Sequence, residues 1–157
     1  MTVHTAVVKI EEEKISSEKA KNFILSDKNG AQSIFVGRVR NENSGKKVTA
    51  VTYDAHDQAV IKSFQSICND AKNKFDKNAK IFLEHAKGYV PVGQISKLIA
   101  VSSAHRDEAF KICRYILEEI KHKSPIWKKE HYIEGNEQWL PGHSLRPKEE
   151  IKYYEKK

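Results

Sequence analysis

The segment from His105 to Glu130 limits the fold more than any other part of this chain. Ala109, Ile112, Cys113, Ile116, Leu117 and Ile120 recur at steps of three and four, so the spacing predicts a helix with one buried apolar face. Pro125 ends that helix, because it lacks an N–H and biases Ser124 away from helical angles. Ile126-Trp127-Lys128 then reads as extended chain. Lys121 follows Cys113 and Leu117 at steps of four, which sets its stem at the edge of the apolar face. The reversal at Pro125 can bring Lys128 back beside Lys121. Two lysines near an apolar wall each disfavour the other's charge, which suits a lysine to acid, base or nucleophile chemistry. Lysines also gather at helix C-termini simply to complement the helix dipole. That structural reading is preferred for Lys123 and Lys129, and for Lys121 and Lys128 this segment alone leaves both readings open.

The chain has 157 residues, one ordinary domain's worth, and no internal repeat or linker divides it. Its 39% hydrophobic and 31% charged content reads as soluble and globular. Apolar runs of only a few residues exclude a spanning helix, and MTVHTAVVKIEEE lacks a secretory pattern, so a cytoplasmic location is expected. Cys68 and Cys113 fall on apolar helix faces and read as buried free thiols. The seven histidines form no ligand pattern, so neither a metal nor a cofactor is expected. A net charge of +7 raises nucleic acid as a partner. Basic residues interleave with acids and no nucleic-acid motif occurs, so a phosphorylated small molecule plus an acidic protein partner explains the charge as well.

Strands are predicted over Val3–Ile10, Ala31–Asn41, Val48–Asp54, Lys80–His85, Ile95–Ser102 and Ile126–Ile133, with another around Trp139. Ser16 and Ser17 can cap a short helix through about Leu25, followed by a turn at Asp27-Lys28-Asn29-Gly30. A longer helix is predicted from about Asp57 to Phe75, burying Val60, Ile61, Phe64, Ile67, Cys68 and Ala71. Asn41 to Lys46 reads as a polar loop, Gly88 to Gly93 as a connecting loop, and Glu134-Gly135-Asn136 as a turn. A charged tail from about residue 146 is either a short helix or frayed. This order of elements argues an α+β fold with two main helices.

Arg38 and Arg40 share one face of a predicted strand end, a fair phosphate or carboxylate clamp, though a solvated surface pair fits as well. His105 and Arg106 open the long helix behind Ser102-Ser103, which are able to cap it. An arginine at the positive end of a helix implies a bound anion or a partner carboxylate. For His105, a hydrogen-bonding core histidine is an equal reading.

The ordered strings FVGRVRN (from Phe35), SSAHR with AF (from Ser102), PIWKKE (from Pro125) and EG followed by Trp139 resemble the molybdopterin synthase large-subunit family. The resemblance runs from about Gly30 to about His143. It implies an α/β hammerhead fold with a mixed, largely antiparallel sheet. It implies a sulfurtransferase that moves sulfur from the thiocarboxylated C-terminal glycine of a small ubiquitin-like subunit to cyclic pyranopterin monophosphate. The product is the molybdopterin dithiolene of molybdenum cofactor biosynthesis. It places Lys121 and Lys128 in the active site and Arg40 in the substrate pocket with Phe35 as an apolar wall, needing no metal; His105, Arg106 and His143 are expected to bind substrate as well. It implies a homodimer within a heterotetramer, with no nucleic acid or membrane involved. This chain ends Glu155-Lys156-Lys157, without Gly-Gly, so the sulfur carrier is expected to be a separate polypeptide. Trp127 could stack near the pterin, but a buried aromatic is the preferred reading.

Two departures weaken the phosphate part of the pocket. His85-Ala86-Lys87-Gly88 stands where the family often has His-Arg-x-Gly, which leaves Lys87 as the candidate replacement. A family arginine beyond the tryptophan has His143 or Arg146 as its nearest candidates here. The rival readings are a non-catalytic module that binds a ubiquitin-like tail and a basic nucleic-acid-binding domain. Salt-dependent oligonucleotide affinity would mark the second.

Overall fold

The computed structural model describes residues 1–133 and 137–139. The elements are β1 (Val3–Lys9), α1 (Ser17–Ile24), β2 (Ala31–Arg38), β3 (Glu42–Asn43), β4 (Lys46–Ala55) and α2 (Asp57–Lys74). They continue with β5 (Lys80–Pro91), β6 (Ile95–Ser103), α3 (Arg106–Lys123), β7 (Ile126–Tyr132) and β8 (Glu137–Trp139). The sheet runs β2-β6-β5-β4-β7-β8, with β1 added to β5 and β3 to β4. Only the β1–β5 pairing is parallel among the described strands, so the expected mixed, largely antiparallel α+β architecture is present.

Strand β5 organises the sheet because its two halves have different neighbours. Lys80 to His85 pair with β6, and Gly88 to Pro91 pair with β4. The strand predicted over Lys80–His85 runs six residues further, to Pro91, and only the short stretch before Ile95 turns. β2 is shorter than expected and ends at Arg38, where a register shift in its pairing with β6 breaks the ladder. The polar segment after Asn41 is a hairpin rather than a loop. Ser44 and Gly45, with φ of 50° and 78°, make the two-residue turn between paired Asn43 and Lys46. Positive φ at both central residues gives the backbone twist that a tight hairpin needs.

Alternation along the strands assigns the helices to faces. Ser33 hydrogen-bonds Cys113 of α3, whereas Ser102 donates to the Ile24 carbonyl at the end of α1. Ser33 pairs with Val101, the neighbour of Ser102, so α1 and α3 lie on opposite faces of the sheet. α2 packs beside α3, burying Val60, Phe64, Ile67, Cys68 and Ala71 as predicted, with Ile61 only partly covered. The core between these helices and the sheet includes Ile81, Leu83, Ile99, Val101, Ile112, Ile116 and Ile120. Burial of a side chain of this size contributes about 1.5–3 kcal/mol each before entropy is counted. The serines ahead of α3 do not cap it. His105 is its N-cap residue without a side-chain bond, while Ser102 reaches Ile24 and Ser103 donates to Asp76.

Candidate active site

The break between α3 and β7 is held from both sides. The Ser124 N–H closes α3 on the Ile120 carbonyl at 3.2 Å, and its buried hydroxyl lies 3.0 Å from that of Ser63 on α2. Ile126 then enters the core at 1% exposure, and Glu130, on the same side of β7, is 3% exposed. Alternation therefore puts Lys128, between them, on the inward row of the strand. Lys128 is half-buried directly across from Tyr53 of β4. Lys121, also half-buried, occupies the last turn of α3. The two lysines thus flank the Ser124–Pro125 break. Lys123, taken as structural, is ion-paired with Glu119 at 2.6 Å.

Trp127 corrects the preference for a buried aromatic. It lies on the outward row of β7, with 36% of its surface exposed.

Behind Lys128 the sheet carries a row of buried polar groups that sequence reasoning missed. The Tyr53 ring meets the His85 ring edge-on at 4.9 Å between centroids. His85 pairs with Lys97 across β5 and β6, and Lys97 pairs in turn with Gly37 of β2. A Cβ added to Gly37 would lie 2.8 Å from Lys97 Cγ and 3.3 Å from both Cδ and Cε, so the buried lysine stem lies flat over this glycine. Ser96 is the extra residue of the bulge opposite Gly37 and Arg38. It donates to the Gly37 carbonyl at 3.2 Å and hydrogen-bonds Tyr53.

The electrostatics follow from burial. His85 Nδ1–H donates to the Ala86 carbonyl at 2.8 Å, which leaves Nε2 as a bare acceptor with no hydrogen-bond partner. Burial first, and the Lys97 charge second, push the His85 pKa down to about 3, so the ring is neutral. Burial likewise raises Tyr53, against the Ser96 hydrogen bond and with the help of the Glu130 charge, and keeps its hydroxyl protonated. The Glu130 carboxylate accepts from Asn43 at 2.7 Å and from Tyr132 at 2.9 Å. The Ser96-Lys97 pair inside the otherwise apolar run Ile95 to Val101 was the signal of this row visible in the sequence.

The remaining candidates are distributed. Phe35 is half-buried in β2, and its backbone hydrogen-bonds Cys113 midway along α3. Arg38 donates to the Gly93 carbonyl at 2.7 Å, and Arg40 is exposed beyond the end of β2. Lys87 is ion-paired with Asp57 at 2.8 Å, at the start of α2. His105 and Arg106 are exposed at the opposite end of α3 from Lys121. Fifteen residues at 1.5 Å each separate Arg106 from Lys121 by about 22 Å. One copy of the chain therefore does not bring the two groups together. His143 and Arg146 lie outside the described residues.

Among the described residues, no three His, Cys, Asp or Glu side chains gather as a metal site, and no helix is long and apolar enough to cross a membrane.

This mixed sheet with α3 against one face is a fold that the chain shares with molybdopterin synthase. A solved molybdopterin synthase structure from Staphylococcus aureus superposes with a TM-score of 0.80 at 28% identity, covering 90% of this chain and 98% of that one. The chain belongs to the MoaE protein family, whose profile matches residues 10–123. The molybdopterin synthase catalytic subunit of Synechococcus elongatus is 41% identical over 126 residues, which are 80% of this chain and 76% of that protein. That of Pyrococcus abyssi is 38% identical over 130 residues, 83% of this chain and 86% of its own. A complex of subunits 1 and 2 of the molybdopterin-converting factor from Helicobacter pylori shares the fold, with a TM-score of 0.69 at 20% identity over 92% of this chain and 93% of that one.

Proposed function

We propose that this chain is a cytoplasmic sulfurtransferase, the catalytic subunit of a molybdopterin synthase. It takes sulfur from the thiocarboxylated Gly-Gly tail of a small ubiquitin-like subunit and places it on cyclic pyranopterin monophosphate to build the dithiolene. The observation that carries this reading is the family match over residues 10–123, which includes Lys121 at the end of α3. Lys128 on the inward row of β7 complements it.

The chemistry asks for cationic groups and proton transfer at one place. Ammonium groups at Lys121 and Lys128 attract the thiocarboxylate and the substrate phosphate, and either lysine can pass a proton as carbon–sulfur bonds form. Arg40 adds charge beyond the end of β2, and Phe35 supplies an apolar wall. His105 and Arg106 act in the site of a second copy, because the length of α3 keeps them about 22 Å from Lys121 of their own chain. The working unit in this reading is a homodimer with a small subunit bound to each copy.

The test is reconstitution. The chain mixed with thiocarboxylated carrier and precursor forms dithiolene product, and carrier lacking its last two glycines gives none. Full product formation with the truncated carrier would overturn the reading.

A further inference from the structure

The row of buried groups behind Lys128 has no role in the reading above, yet it connects five strands. Lys128 on β7 lies opposite Tyr53 on β4, and cross-strand neighbours on one face hold their Cβ atoms about 5 Å apart. The Tyr53 hydroxyl feels the Ser96 side chain on β6, and Ser96 donates to the Gly37 carbonyl on β2. His85 on β5 closes the other side of the Tyr53 ring. A tyrosine 7% exposed and packed edge-on against a buried histidine has little room to move. By register, the base of the Lys128 side chain lies beside that ring.

We propose that Tyr53 is a positioning residue for Lys128, and that the bulge serine Ser96 is its anchor. The arrangement serves a lysine that must act at a defined point, because a long flexible stem does not fix its own ammonium. The Ser96–Gly37 bond also ties this anchor to the strand that carries Phe35 and leads to Arg40. Tyr53 touches no reacting atom in this account and acts only through Lys128. The proposal therefore rests on the reading of Lys128 as catalytic.

Tyr53→Phe removes the hydroxyl and keeps the ring, and Ser96→Ala removes its anchor. Both are measured in the full chain by single-turnover product formation with thiocarboxylated carrier and precursor. Each substitution should lower the maximal rate about tenfold while half-saturation by precursor stays unchanged, since geometry rather than binding is lost. In a Lys128→Ala background the same substitutions should cost less than about twofold, because the group they position is gone. Loss of fold alone would lower the rate equally in both backgrounds. Full activity of Tyr53→Phe and Ser96→Ala, with Lys128→Ala inactive, overturns this proposal and leaves the function standing. Full activity of Lys128→Ala overturns this proposal together with the catalytic reading of Lys128, and it too leaves the function standing.

Discussion

Gly37 offers a quantitative check on the geometry around the site. An alanine there would place its Cβ 2.8 Å from Lys97 Cγ and 3.3 Å from Cδ and Cε, contacts that require the lysine stem to move. Lys97 is only 9% exposed, so the stem cannot swing into solvent. Crowding of this kind costs about 1–3 kcal/mol. Gly37 needs no left-handed backbone, so alanine recovers about 0.5–1 kcal/mol of strand entropy. The net expectation for Gly37→Ala is a loss centred on about 1 kcal/mol in urea-unfolding free energy. With the stem removed by Lys97→Ala, the same Gly37→Ala change should become neutral or slightly stabilising. The cycle then yields a coupling of about 1–3 kcal/mol between the two positions. An unchanged stability for Gly37→Ala, or an equal loss in both backgrounds, would refute the packing argument.

Two further outcomes follow from the same structure. His85 is held neutral with a pKa of about 3 against an ordinary 6.5, so below about pH 6.5 the unfolded chain binds a proton that the folded chain refuses. Stability should fall with decreasing pH through that window at up to about 1.4 kcal/mol per pH unit, and His85→Leu should remove this slope; equal slopes in urea titrations at pH 7, 6 and 5 would contradict it. If Arg106 serves the site of a second copy, light scattering should give about twice the 18.0 kDa chain mass. Mixing inactive Arg106→Ala with inactive Lys128→Ala should then restore activity, because each mixed dimer holds one intact site; no recovery after subunit exchange would place Arg106 elsewhere.

Much of the scaffold was legible in the sequence because periodicity reports local burial. The apolar stripe of α3 and the Pro125 break follow from residues close together in the chain. Strand ends were less legible, because pairing partners set them. β5 runs on to Pro91 because β4 takes over the pairing, and β2 stops at Arg38 because Ser96 bulges opposite it. Lys121 and Lys128 were legible as candidates from the apolar stripe and the Pro125 break, and the family resemblance was what favoured the chemical reading over the structural one. Tyr53, His85, Ser96 and Lys97 lie on three different strands, and their juxtaposition comes from sheet register. A register is a long-range property that no single window of sequence encodes. The misplaced Trp127 illustrates the same limit. Its neighbours Ile126 and Lys128 face inward, so alternation turns the larger ring outward.

The most direct test of the central claim is single-turnover product formation by four substituted chains, with thermal melts to confirm folding. Lys121→Ala and Lys128→Ala should each reduce product formation about a hundredfold or more, as expected for lost proton transfer. Lys121→Arg should not rescue, because arginine keeps its charge at neutral pH. Lys129→Ala, on the outward row of β7, should lose much less. A Lys129→Ala defect as deep as that of Lys128→Ala, or full activity of Lys121→Arg, would show an electrostatic surface in place of a proton-transfer centre.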